Sequence, residues 1–248
     1  RHRGRVMQAL VNAGGIIVNS QATANELCEF ARINGLPVPP LLTAWLGGAT
    51  LAKSNGQSSS GYFVCVGTIE PRKNHQLLFT VWRQMAKRLG SRTPRLVLIG
   101  QWGHGCDPER QMLANCPILR KHVEMRDNCP DTEMATLLAG ANALLMPSRA
   151  EGFGLPMIEA LGMGTPVIAS DLPSFREVGQ QVPDLLDCDD AEAWERTILD
   201  YSDDHDQRRA QLHRLKQFRA PTWEGHFRTV EPWLNTLPPA AKKSLDLR

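Results

Sequence analysis

Two glutamates, Glu151 and Glu159, bracket the segment Gly152-Phe-Gly-Leu-Pro-Met-Ile158. Their setting suggests a chemistry. The apolar run Asn142-Ala-Leu-Leu-Met-Pro-Ser148 reads as a buried strand, so Glu151 stands near its carboxyl end. Pro156 suits the first turn of a helix, which puts Glu159 just inside that helix. Gly152 and Gly154 allow close backbone approach to a ligand and positive φ. The N–H groups that open a helix have no intrahelical partner and suit a phosphate. Glu159 offers acceptors suited to a vicinal diol. In an open α/β sheet, ligands bind outside the carboxyl ends of the strands.

A second cluster, Gly67-Thr-Ile-Glu-Pro-Arg-Lys-Asn74, also follows an apolar strand and opens a helix, so Arg72 and Lys73 can reach the same crevice. Cations are disfavoured at the positive end of a helix dipole. A solvated Arg-Lys pair would gain nothing there, so the pair needs an anion nearby.

The elements that must position these groups alternate regularly. Apolar runs at 62–67, 95–100, 122–126, 142–148 and 166–170 read as strands, and Leu185-Leu186 as a short edge strand. Between them, helices are expected at 74–89, 107–115, 131–138 and 156–163, the third capped by Asp131. Near-continuous apolar strands alternating with helices predict a Rossmann-like parallel sheet flanked by helices. Residues 191–219 read as one or two helices interrupted near Asp203. Residues 222–237 read as an amphipathic helix with Trp223, Phe227, Val230 and Trp233 or Leu234 on one face. Ahead of the sheet, Gly15 to Ser20 reads as a strand, Ala22 to Ile33 as a helix capped near Ser20 or Thr23, and Leu41 to Leu46 as a second apolar run. The Ser-rich segment 53–61 reads as a linker. The expected organisation is therefore 1–52 as the end of one domain, 53–61 as linker, 62–219 as the α/β domain, 220–237 as a helix packing back toward the first domain, and 238–248 as a tail.

The net charge of +2 and interspersed charges argue against a nucleic-acid partner. Six cysteines without a Cys-x-x-Cys pair favour a reducing, cytoplasmic compartment. Cys65, inside an apolar strand, reads as a buried small hydrophobe. There is no signal-peptide pattern and no run of the ~20 apolar residues that a membrane span needs.

The stretch Glu151-Gly-Phe-Gly-Leu-Pro-Met-Ile-Glu-Ala160 resembles the donor-site signature of retaining GT-B glycosyltransferases, the GT4 family in particular. Ala143 to Ser148, Gly164 to Asp171 and Leu172 to Val178 flank it as in members, and the resemblance extends over roughly 5–237. It implies the C-terminal half of a GT-B fold, with a hexosyl group moved from a nucleotide-diphosphate sugar to a glycan or lipid-linked acceptor in polysaccharide or lipopolysaccharide assembly. The acceptor-binding domain would precede residue 1, leaving this chain mainly the donor-binding half. Glu159 would bind the ribose hydroxyls and Glu151 the donor sugar. The amides of Phe153, Gly154 and Leu155, after Gly152, would approach sugar or phosphates. Gly67, Thr68 and the cations Arg72 and Lys73 would surround the diphosphate. Met125 and Arg126 would lie near the base. Many members have Gly-Arg where this chain has Gly67-Thr68, which leaves Arg72 as the substitute for the second cation. The resemblance implies retention of configuration by a front-face route, with the donor phosphate deprotonating the acceptor, and no metal or other cofactor. Loops of the form Thr-x-Glu-Pro-Arg-Lys-Asn favour GDP-mannose as donor. Peripheral association with the inner face of the plasma membrane would bring the enzyme to a lipid-linked acceptor.

Other features carry less. Asp187-Cys-Asp189 matches the D-x-D of metal-dependent transferases but precedes an expected helix, where capping is the simpler role. Gly100-Gln-Trp-Gly-His-Gly105 lacks the G-x-G-x-x-G order and reads as a flexible βα loop. A non-catalytic nucleotide-sugar-binding module and a GT-B-type epimerase are the competing readings. A phosphorylase would need a pyridoxal lysine pocket of which the sequence shows no sign.

Overall fold

A computed structural model describes residues 2–49, 61–203 and 206–237. In chain order the elements are α1 (His2–Asn12), β1 (Ile16–Val18), α2 (Gln21–Ile33), β2 (Leu41–Thr43), β3 (Tyr62–Val66), a 3-10 turn Pro71–Lys73, α3 (His75–Leu89), β4 (Arg95–Ile99), α4 (Asp107–Asn115), α5 (Pro117–His122) and β5 (Val123–Arg126). They continue as α6 (Asp131–Gly140), β6 (Leu144–Met146), α7 (Leu155–Met163), β7 (Val167–Ser170), α8 (Pro173–Val178), β8 (Asp184–Leu186), α9 (Ala191–Ser202), α10 (Asp206–Leu215) and α11 (Trp223–Leu234). Contacts divide the chain into two compact units, residues 48–220 and residues 1–47 with 221–248. The expected linker 53–61, except for Gly61, and the expected tail from Pro238 lie outside the described residues.

The larger unit is built on a six-stranded parallel sheet in the order β5-β4-β3-β6-β7-β8. Its inner strands are almost wholly apolar because both faces are covered, whereas the edge strands β5 and β8 carry Glu124, Arg126 and Asp184. Phe63, Cys65, Leu96, Leu98, Leu145 and Ile168 point to one face, where they share a core with Leu78, Trp82 and Met85 of α3 and with Trp194 and Ile198 of α9. The alternate set, Val64, Val97, Leu144 and Val167, is buried on the other face. Trp82 is fully buried, packs edge-on to Phe63 with ring centroids 6.0 Å apart, and donates its indole N–H to Pro94 O at 2.8 Å.

Just ahead of the first residue of β8, a side chain from α10 continues the ladder along β7. Gln211, fully buried, accepts from Val167 N–H at 2.5 Å through Oε1 and donates from Nε2 to Val167 O at 2.9 Å. Its amide therefore stands in for a strand residue.

Several expectations need correction. Asp131 does not cap α6: Pro130 holds the cap position with no side-chain bond, and Asp131 is the first helical residue, where its charge favours the positive end of the dipole. Two short helices, α5 and α8, were not expected. Each opens on a proline whose φ suits a first turn.

The smaller unit contains the parallel pair β1 and β2, with Ile16 opposite Leu41, and helices α1, α2 and α11. Ser20 caps α2 by accepting from Thr23 N at 3.0 Å, and Asn34 with Gly35, at φ 61°, ends it. No expectation covered α1: Leu10 alone is buried in it and Gly4 interrupts its pattern. Thr222 caps α11, which ends at Leu234, short of the expected Leu237. Trp223 and Phe227 are exposed, whereas Trp233 is half-buried against Gly15.

Candidate functional site

The order of strands decides which loops meet. From β3 the chain steps outward through β4 and β5, then crosses to β6 on the other side of β3 and continues through β7 and β8. The switch point of this doubly wound sheet therefore lies between β3 and β6, and a crevice at their carboxyl ends is the expected ligand position. The loop after β3 carries Gly67 to Lys73. The loop after β6 carries Ser148 to Gly154.

The first loop is held from behind. Gly67 N donates to Ile99 O and Ile69 N to Gln101 O, both at 2.9 Å, and Ile69 bridges to Trp102. A Cβ on Gly100 would lie 2.1 Å from Gly67 O, and one on Gly103 would lie 2.6 Å from Thr68 Cγ2. The loop at 100–105, expected to be flexible, is thus bonded and packed against 67–69, and its glycines permit that approach. The 3-10 turn ends at Asn74, left-handed at φ 56°, whose side chain donates to Cys188 O at 3.0 Å.

The turn brings Lys73 back beside Gly67 and into the crevice, where its ammonium pairs with Glu151 Oε1. Ser148 Oγ donates to the same oxygen at 3.2 Å. Arg72 Nη1 pairs with Glu151 Oε2 at 3.0 Å and donates to Ala150 O at 3.2 Å. The second terminal nitrogen of Arg72 pairs with Glu70 at 2.7 Å. Arg149 N donates to Arg72 O at 2.7 Å, joining the two loops, and Ser174 Oγ from α8 donates to Glu151 O at 2.7 Å. The side chains of Lys73 and Glu151 are only 13% and 10% exposed, whereas Arg72 is 47% exposed. The pairing is therefore charge-assisted and poorly solvated, where such contacts are strongest.

Below this cluster, His75 Nε2 lies 3.6 Å from Cys65 Sγ, and Nδ1 has no hydrogen-bond partner among the described residues. Burial, reinforced by the Lys73 charge, lowers the His75 imidazole to about 4. Burial pushes the Cys65 thiol up to about 12. Both groups are neutral at pH 7.

Gly152 is exposed and Phe153 buried. Gly154, at φ 97°, occupies the cap position of α7, whose second residue, Pro156, has no N–H and whose third, Met157, donates to Gly154 O at 3.0 Å. Leu155 is partly exposed. Glu159, one turn into α7, is half-buried and accepts from Ala49 N at 3.4 Å, with no ion-pair partner among the described residues. Burial raises its carboxyl above the usual range, the Ala49 N–H opposes that shift, and the charge of Asp131 adds to it.

Not every residue singled out from sequence joins the cluster. Thr68 is exposed and packs on Gly103. Met125 and Arg126 end β5, two strands from β3 at the sheet edge. Arg126 is engaged by Glu124 and by Glu133 at 3.4 Å, and Met125 packs on the core. The helix after Asp187-Cys188-Asp189 is capped by Asp190, which accepts from Ala193 N at 2.9 Å, so capping falls one residue beyond the expected triplet. Asp187 instead turns back to accept from Asp189 N, and Asp189 pairs with Arg149 at 2.7 Å. Sequence reasoning missed Ser148 and Ser174, both buried beside Glu151. Their positions, at the end of one strand and in the first turn of α8, were the only signal.

The family model for glycosyl transferases group 1 matches residues 50–217. The serotype-specific mannosyltransferase WbdA of Escherichia coli is 35% identical over 119 residues, which is 48% of this chain and 14% of that protein. The O-antigen chain mannosyltransferase B of Escherichia coli is 32% identical over 165 residues, 66% of this chain and 43% of that protein. The chain thus spans less than half the length of either curated relative. Among solved structures, sucrose-phosphate synthase from Thermosynechococcus elongatus aligns with a TM-score of 0.70 at 20% identity, covering 95% of this chain and 62% of that one. HepE from Anabaena, solved with UDP-glucose, aligns at 0.68 and 16% identity, covering 94% and 67%.

Proposed function

This chain belongs to the glycosyl transferases group 1 family, GT4-type enzymes of GT-B fold, and from that premise we propose that it is the donor-binding part of a retaining hexosyltransferase of polysaccharide or lipopolysaccharide assembly. The observation that carries the reading is the convergence of Lys73, Arg72 and Glu151 beside the glycine-rich start of α7, at the switch point between β3 and β6. Fixed cations there would stabilise the charge that builds on a leaving nucleoside diphosphate more than the ground state. Arg72 fills the role of the second cation that Thr68 leaves open. The opening amides of α7 approach the diphosphate and sugar, with Gly152 keeping the path clear. Glu159 accepts from the ribose hydroxyls, Glu151 from the sugar, and Met125 and Arg126 stand toward the base. The donor phosphate itself deprotonates the acceptor hydroxyl, and no metal takes part.

GDP-mannose is the proposed donor. The loop Thr68-Ile-Glu-Pro-Arg-Lys-Asn74 and the mannosyltransferase relatives support it. The proposed acceptor is a glycan or lipid-linked glycan, reached from the cytoplasmic face of the membrane. Among the described residues, no helix is long and apolar enough to cross a membrane.

A thermal-shift screen of nucleotide sugars tests the reading. A ligand at 100 times its Kd adds about 2.7 kcal/mol, or roughly 5–10 °C for a chain of this size. Lys73→Ala and Glu159→Ala should each lower donor affinity about tenfold or more by calorimetry, and a chelator should change nothing. Failure of every nucleotide sugar to raise the melting temperature would refute the proposal.

A further inference from the structure

We propose that, in the donor-free protein, the Glu151 carboxylate occupies the place of the donor's diphosphate, so that diphosphate binding is what frees Glu151 to recognise the sugar. The inference rests on the preceding reading of this crevice as a nucleotide-sugar site.

The geometry poses the problem directly. Lys73 and Arg72 are the cations that would hold a diphosphate, and Glu151 is the acceptor that would hold a sugar hydroxyl. Yet these groups are bound to each other. Both carboxylate oxygens are engaged: Oε1 by Lys73 and by Ser148 Oγ at 3.2 Å, Oε2 by Arg72 at 3.0 Å. An ionised carboxylate has about four lone-pair sites, and three are taken. The Lys73 and Glu151 charges are largely shielded from solvent, so water cannot compensate cheaply for breaking that pair, whereas Arg72 sits at the open side of the cluster. A ligand must supply the exchange.

A diphosphate is fitted to do so. It carries more negative charge than one carboxylate and offers several acceptor oxygens to the Arg72 guanidinium and the Lys73 ammonium. As the cations turn to it, Glu151 loses both ion pairs and keeps the Ser148 hydroxyl, while its backbone stays held by Ser174. The freed carboxylate is then repelled by the phosphates and has open lone pairs for a hydroxyl donor. One residue thus both opposes the bare nucleoside diphosphate and favours the nucleotide sugar. This coupling would reduce occupation of the site by product.

The test compares wild type with Glu151→Gln, using calorimetry with GDP, GDP-mannose, UDP and UDP-glucose on the full chain. In the base series that wild type binds, Glu151→Gln should bind the bare diphosphate about tenfold more tightly, equivalent to about 1.4 kcal/mol. The extra affinity that the sugar confers on wild type should shrink, because a neutral amide oxygen accepts from a hydroxyl more weakly than a carboxylate. Equal or weaker diphosphate binding by Glu151→Gln, with wild type still binding the nucleotide sugar, overturns this inference and leaves the donor-site reading standing. No binding of any of the four ligands by wild type overturns the donor-site reading itself. Folding of each variant is read from its melting curve. If Glu151→Gln does not fold, Glu151→Asp carries the comparison: its shorter reach weakens the pairs, so a gain of about threefold is expected, and no gain overturns the inference.

Discussion

Gly154 lies in the middle of the motif that led to this site, and replacing it with alanine tests why it is glycine. If its role were only to make room for a ligand, Gly154→Ala would leave the ligand-free protein as stable as before. The structure says otherwise. At φ 97°, an L residue is strained by roughly 1–2 kcal/mol. A Cβ would also lie 2.7 Å from Cε1 and 3.2 Å from Cδ1 of Phe175, whose ring is fully buried and has no room to retreat. Overpacking of that kind costs about 1–3 kcal/mol. The sum is about 2–5 kcal/mol, or a fall in melting temperature of at least ~4 °C. The control sits at the other end of α7. Gly164, at φ 94°, has nothing within 4 Å of an added Cβ, so Gly164→Ala should cost the backbone strain alone. Urea unfolding of both variants without nucleotide separates the two effects. If Gly154→Ala is no more destabilising than Gly164→Ala, the packing argument is wrong.

Two further perturbations address buried polar groups. Gln211→Ala leaves the buried Val167 N–H without its acceptor and removes one donor to Val167 O, and should cost about 1–3 kcal/mol in urea unfolding. A loss below 1 kcal/mol would mean that water replaces the amide. His75 makes stability depend on pH. Its folded-state value of about 4 lies below the ordinary 6.5, so the unfolded chain binds the extra proton. The contribution, about 3 kcal/mol, is fully present above pH 6.5 and is lost as pH falls toward 4. Urea midpoints measured from pH 7.5 to 4.5 should therefore fall less steeply for His75→Gln than for wild type, and parallel curves would refute the assignment.

Much of this molecule is legible in its sequence because the signals are local. A strand covered on both faces must be apolar along its length, and β3 and β6 are. A helix start needs a residue compatible with its first turn, and Pro156 marks α7. Short helices such as α5 and α8 show too few residues for periodicity to register. The pairings Ser148 to Glu151 and Ser174 to Glu151 leave no pattern at all, because a serine at a strand end is ordinary in composition.

Sequence alone determined the alternation of strands and helices, the glycine turn and the types of charge present. It could not determine that Lys73 meets Glu151, because 78 positions separate them and only the order of strands makes β3 and β6 neighbours. Nor could it show that the acceptor and its two cations are bound to one another, or that Gly154 is small because Phe175 fills the space beside it. Those facts depend on distances across the sheet. Local propensity acts over a few residues, whereas pairing of charges and close packing depend on where separate segments are brought together.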